Sequence, residues 1–264
     1  MKRESLWSLA LSTSLCLALA APAIAQAQDA VHGDVGAQIV GVPDYLGSNQ
    51  TRTHIAPVLN IDFSSPLFYA GNRYGGLPLQ LGVTPLHSTH WAFGADIEYQ
   101  TIMPRSDTTN AYPIGIPEIS RTALGGVFAQ YRYDGFSAGV RTESDLLGNK
   151  QGTTVTVNAR QAFPLNDQLT FALGPQFVWG NREHMETFFG IDTQASMQSQ
   201  LPAYTPGSGA EEISLLLDLR YLLTPSWVLG SGVSIGRLSG PAANSPLVAD
   251  RTQVRWSLLA AYKF

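Results

Sequence analysis

Apolar and polar residues alternate along most of this chain. In its last stretch Thr252, Val254, Trp256, Leu258, Ala260, Tyr262 and Phe264 share one parity. Arg251, Gln253, Arg255, Ser257 and Lys263 share the other, broken only by Leu259 and Ala261. A period of two is that of a strand with one greasy and one polar face. At about 3.3 Å per residue, roughly ten such residues tilted near 45° span the apolar part of a bilayer. A strand of a soluble sandwich or lipocalin would carry the same pattern, so the choice rests on the rest of the chain.

The same alternation predicts a first strand over about residues 31 to 41 and a second that ends at Phe63. A short third is expected over Leu67 to Asn72, and a fourth over Leu77 to Thr84, where Pro78 and Pro85 suit a strand end or a bulge better than a centre. Trp91 to Gln100 is the cleanest alternation and forms a fifth. The sixth (Thr122 to Tyr133) and seventh (Phe136 to Glu143) flank Asp134-Gly135, a strong hairpin signal. The eighth (Thr154 to Phe163) and ninth (Leu169 to Trp179) flank Pro164 to Asp167. The tenth (Ile213 to Tyr221) and eleventh (Trp227 to Ile235) flank Thr224-Pro225.

The connections decide the fold class. Long loops (43 to 52, 102 to 119, 145 to 151, 181 to 209, 239 to 250) alternate with tight turns (64 to 66, 85 to 89, 134 to 135, 164 to 167, 223 to 225), with one short exception near Arg73-Tyr74-Gly75. Short turns at one end and long loops at the other are the pattern of an outer-membrane barrel. The expectation is therefore an all-β, transmembrane, antiparallel up-and-down β-barrel of twelve strands, with ten as the alternative if residues 67 to 72 pair differently. An even number places both termini at the periplasmic, short-turn end. Tyr262 and Phe264 in the closing strand are expected to carry the signal read by the barrel-assembly machinery. Aromatics near strand ends, among them Phe63, Tyr99, Tyr133, Phe136, Trp227 and Tyr262, would form interfacial girdles against lipid and lipopolysaccharide.

Export fits this picture. Lys2 and Arg3, the apolar run from Leu6 to Ala20 and Ala23-Ile24-Ala25 read as a cleaved signal peptide over residues 1 to 25, with cleavage after Ala27 as the alternative. An uncleaved anchor would need about 20 apolar residues, and Ser12, Thr13 and Ser14 interrupt this run. The barrel is then expected over 28 to 264. Cys16, the sole cysteine, lies in the leader, so the exported chain has neither a disulfide framework nor a cysteine metal site. Lys2, Arg3 and Glu4 carry a net +1, so the formal charge of −4 becomes −5 without the leader. That mild acidity argues against nucleic acid as a partner. No later stretch is apolar enough for a helical span, and strands cross lipid only as a closed barrel. A mean hydropathy of +0.01 suits strands that are half apolar.

Taking the lumen as the polar parity places Asp34, Asp96, Glu98, Arg132, Arg141, Glu143, Arg160, Asp218, Arg220 and Arg255 inside. Both signs are present in similar number. They read either as a packed lumen of mutually satisfied ion pairs or as rings that select solutes in a narrow pore. Enzymatic activity is not expected. There is no Gly-x-Ser-x-Gly, and His32, His54, His87, His90 and His184 lie in turns, loops or strand ends. Glu183, His184 and Glu186 could touch a metal but read better as a polar loop, so no catalytic residue, metal or cofactor is assigned.

Three segments resemble the MipA/OmpV family of outer-membrane proteins. They are Gly41-Val42-Pro43-Asp44-Tyr45-Leu46-Gly47-Ser48, Thr187-Phe188-Phe189-Gly190-Ile191 with Tyr204 downstream, and Arg237-Leu238-Ser239-Gly240-Pro241-Ala242-Ala243-Asn244-Ser245-Pro246-Leu247-Val248 before the Tyr-x-Phe end. The last is the most specific, although Pro241 and Asn244 stand where acidic residues are expected. The resemblance covers essentially the whole exported chain. It implies an outer-membrane barrel without enzymatic activity. It also implies a scaffold that brings a lytic transglycosylase together with a peptidoglycan synthase, while other members are described as porin-like, adhesive or involved in the response to antibiotics. A scaffold predicts a plugged lumen, a channel predicts conductance, and adhesion predicts that deleting 181 to 209 removes surface binding without unfolding the barrel.

Overall fold

Thirteen alternating residues from Val31 to Pro43 form β1, which pairs antiparallel with β2 (Thr51–Phe63) on one side and with the last strand on the other. In the computed structural model, which describes residues 31–63, 67–71, 79–106 and 114–264, β1 to β12 form one closed antiparallel barrel. The chain continues through β3 (Phe68–Gly71), β4 (Gln80–His87), β5 (Trp91–Tyr99), β6 (Ala123–Tyr133), β7 (Phe136–Asp145) and β8 (Thr153–Pro164). It ends with β9 (Leu169–Gly180), β10 (Gly209–Thr224), β11 (Trp227–Leu238) and β12 (Thr252–Lys263). The expected leader lies outside the described residues, as do the turn at 64 to 66, Leu77 and Pro78. Among the described residues no helix is long and apolar enough to cross a membrane, so the crossing is by strands.

Outside the register shifts in β4 and β10, the strands keep their parity around the barrel. Ile55, Leu81, Ile97, Val127, Val157, Ile213 and Leu258 point outward and are exposed along the wall, forming the belt that faces lipid. Phe63, Tyr133, Phe136, Phe163, Tyr221, Trp227 and Tyr262 ring the tight-turn end, while Tyr99 and Trp179 mark the opposite interface. Trp227 and Tyr262 meet edge to face across β11 and β12. The closing strand seals onto β1 down to its last residue, with Gly33 and Phe264 exchanging backbone hydrogen bonds of 3.2 and 3.0 Å.

The hairpin at Asp134-Gly135 has φ values of 46° and 74°, the two positive angles that a primed two-residue turn requires. β4 departs from its sequence reading. It starts later and runs to His87, and Pro85 sits in a register shift between Val83 and Leu86. A residue without an N–H is tolerated where the ladder is already interrupted, and the tight turn consequently begins at Ser88.

The long stretch after β9 differs from its reading as irregular chain. It folds into α1 (Arg182–Phe189), capped by Asn181 Oδ1, which accepts from the His184 N–H, and α2 (Thr193–Ser199), capped by Asp192 in the same way. A short α3 (Gly240–Ala243) opens the loop before β12. These helices and the loop after β5 bring Ile119, Met185, Phe188, Phe189, Leu238 and Ala242 into one buried cluster, and Ile116, Ile191, Ala195 and Leu247 into a second. The molecule's apolar core is therefore a cap over the long-loop mouth, and the barrel beneath it is polar inside.

Candidate functional site: the barrel lumen and its cap

Two groups of charges occupy the lumen. In the first, Arg141 on β7 reaches across β6 to β5. Its Nη1 and Nη2 donate to the two oxygens of Asp96 at 2.6 Å each, Nη2 also meets Glu98 at 3.2 Å, and Nε donates to Glu143 at 2.6 Å. The Tyr69 hydroxyl donates to Asp96 at 2.9 Å, and the Gln80 amide reaches Glu98 at 3.4 Å. Gly126 lies between the partners in the β5–β6–β7 register, and a Cβ there would sit 2.7 Å from Asp96 Oδ1 and 2.9 Å from Arg141 Nη2. The missing side chain leaves the guanidinium its path. Arg141, Asp96 and Glu98 are all nearly inaccessible to solvent.

The second group lies on the β8 to β12 side. Arg255 makes a forked pair with Glu212 at 2.7 and 2.8 Å. Arg160 Nη2 lies 2.7 Å from Asp218 Oδ2, but the approach is not aligned as a hydrogen bond, and Asp218 Oδ2 has no hydrogen-bond partner among the described residues. Arg160 and Asp218 side chains are 38% and 39% exposed, against 6% for Arg141, so water reaches this pair and not Arg141. Arg220 and Asp34, nearer the tight-turn end, stand 4.0 Å apart. A cavity of about 420 Å³ adjoins Arg160, Asp218 and Arg255, walled in part by Val40, Val42 and Leu216.

The long loops and short helices pack together at the outer end of the barrel. Arg105 donates to the carbonyls of Pro117, Thr187 and Phe188, tying the loop after β5 to α1. His184 turns inward from α1. Its Nδ1 lies 2.9 Å from the Gln151 carbonyl and its Nε2 2.5 Å from Glu211, while the ring stacks on Phe188. Both partners offer oxygen acceptors, an arrangement that favours the doubly protonated ring. Burial pulls its pKa down, but the charge and hydrogen bond of Glu211, with the Gln151 carbonyl, hold it above the ordinary histidine value. Glu183, His184 and Glu186, read from the sequence as a polar loop, do not converge, and Glu186 pairs outward with Arg182 at 2.7 Å. Among the described residues no three histidine or carboxylate side chains gather as a metal site.

A family model for MltA-interacting protein MipA matches residues 35–264. The chain belongs to the MipA family. None of the curated proteins matches it. Among solved structures, the NanC porin aligns at 10% identity and a TM-score of 0.44, covering 88% of this chain and 100% of that one. OmpT of Vibrio cholerae aligns at 8% identity and 0.37, covering 89% and 97%. OprD from Pseudomonas aeruginosa aligns at 10% identity and 0.37, covering 89% and 94%. This MipA-family chain is an outer-membrane β-barrel, its closed wall and apolar outer belt being what such a membrane requires.

In this MipA-family barrel, Asp96, Glu98, Arg141 and Glu143 come together in one cluster, and Arg160, Asp218 and Arg255 border one cavity. Arg132 and Arg220 lie exposed toward the tight-turn mouth, apart from both. Tyr262 faces lipid and Phe264 ends the seam. Sequence reasoning missed Glu212, Glu211 and Tyr69. A register shift between Ala210 and Glu212 disturbs parity where the two glutamates stand, so Glu212 turns into the lumen to Arg255 while Glu211 turns to His184. The one signal available was the Glu-Glu pair near the start of β10.

Proposed function

We propose that this chain is a structural barrel of the outer membrane that holds murein-remodelling enzymes at its periplasmic turns, bringing a lytic transglycosylase together with a peptidoglycan synthase. The observation that carries this reading is the packing of the long loops on one another at the outer end of the barrel. Two apolar clusters, the Arg105 contacts to three carbonyls and the His184–Glu211 pair tie the long loops to one another over the lumen. A barrel so capped keeps the membrane sealed while its turns remain available to partners. The description of the family as MltA-interacting supports a lytic transglycosylase as one of them. The test combines planar-bilayer recording of the purified, heat-modifiable barrel with affinity capture of a purified lytic transglycosylase. A silent barrel that binds the enzyme fits the reading, and steady openings without enzyme binding overturn it.

A second reading, a small-solute channel, draws on the solvated pairs Arg160–Asp218 and Arg220–Asp34 along the lumen. It requires the cap to open. In that case openings appear in the recording, and replacing Asp218 with Asn shifts their ion selectivity.

A further inference from the structure

The lumen cavity is built for more than packing. It is bordered by an ion pair, Arg160 and Asp218, that stays more than a third exposed, whereas Arg141 is nearly inaccessible. Arg141 is held by aligned hydrogen bonds to Asp96 and Glu143, and Arg255 by a fork to Glu212. Arg160 makes no aligned hydrogen bond among the described residues, and Asp218 Oδ2 is buried with no hydrogen-bond partner.

We propose that this cavity is a binding site for a small zwitterion with an aliphatic side chain, of the class of the aliphatic α-amino acids. The chemistry follows from three walls. The free face of the Arg160 guanidinium offers donors to a carboxylate. The exposed part of the Asp218 carboxylate accepts from an ammonium. Val40, Val42 and Leu216 line the cavity with apolar surface for a branched alkyl group. A simple anion would meet Arg160 but leave Asp218 unmet and repelled, and a simple cation would do the reverse. Only a ligand with both charges a few bonds apart meets both groups. A volume of about 420 Å³ holds such a molecule with several waters, at about 30 Å³ for each water. This site is independent of any enzyme docked on the turns.

The experiment is titration calorimetry on the folded protein in detergent micelles with three probes: leucine, 4-methylvalerate, which lacks the ammonium, and isoamylamine, which lacks the carboxylate. Leucine is expected to bind saturably, and each single-charge probe at least tenfold more weakly. Arg160→Gln and Asp218→Asn are each expected to weaken leucine at least tenfold, with folding verified by heat-modifiable gel mobility. Should either variant fail to fold, Val42→Phe, which fills the cavity from its apolar wall, must abolish leucine binding. No saturable heat with leucine overturns the proposal. Equal affinity for all three probes, or folded variants that bind leucine as the parent does, overturns it too.

Discussion

The two sides of the lumen use the same ingredients to opposite ends. On the β5 to β7 side, one arginine sits among three carboxylates, a tyrosine hydroxyl and a glycine that clears its path, and every approach is short and dry. On the β8 to β12 side, Arg160 and Asp218 approach as closely, yet they lack hydrogen-bond alignment and stay more than a third exposed. Proximity of opposite charges therefore does not say whether a pair is a strut or a site. Alignment and desolvation do, because a misaligned, hydrated pair gains little from its partner, whereas a dry cluster is costly to break.

Breaking the dry side should have the largest effect. Arg141→Met leaves Asp96 and Glu98 buried without their guanidinium and should cost about 3–5 kcal/mol, seen as a lower urea midpoint for loss of the heat-modifiable form. If the loss were under 1 kcal/mol, the cluster would not be a strut.

An intermediate effect is expected in the cap, which roofs both sides. The His184 pKa is higher in the folded cap than in the unfolded chain. Its stabilisation is therefore fully present below the ordinary histidine pKa of about 6.5 and is lost as pH rises through the raised folded value. Amide exchange in α1, normalised for intrinsic rates, should accelerate across that alkaline window. Glu211→Gln should remove most of the pH dependence and cost about 1.5–3 kcal/mol, the range for a hydrogen bond to a charged group. Exchange that ignores pH in the parent would show that the imidazolium does not hold the helix.

The smallest effect should come from the wet side. Arg160→Gln should change stability by less than about 1 kcal/mol in the same urea assay. A loss as large as that of Arg141→Met would erase the distinction between the two sides.

Most of the barrel was legible because its physics is local. Parity along Trp91 to Tyr99 and the Asp134-Gly135 turn declare themselves within a few residues, and the alternation of short and long connections orders the strands. The cap was not legible for the opposite reason. Met185, Phe188 and Phe189 have helical spacing, but α1 spans only two turns, too few for a period to stand out from irregular chain. Their burial depends on Ile119, Leu238 and Ala242, which are distant in the sequence. The lumen pairs were half legible. Parity put Arg141 and Asp96 on the inner face, but which charges meet depends on Gly126 and on the irregularity before Glu212, and neither can be read from alternation.

The Gly41 to Ser48 segment has a further consequence, in time rather than in space. The Tyr45 hydroxyl donates to the Leu247 carbonyl, the Gly47 N–H donates to Gln253 Oε1, and the N–H groups of Ala249 and Asp250 donate to the Gly47 carbonyl. These bonds rivet the outer end of the seam between the first and last strands across sequence separations of 202 and 206 residues. Contacts of such high order form late, after the intervening loops have paid their closure entropy. The rivet therefore clicks shut only when the final hairpin is in place, marking the moment at which a barrel still being threaded into the membrane becomes a finished one.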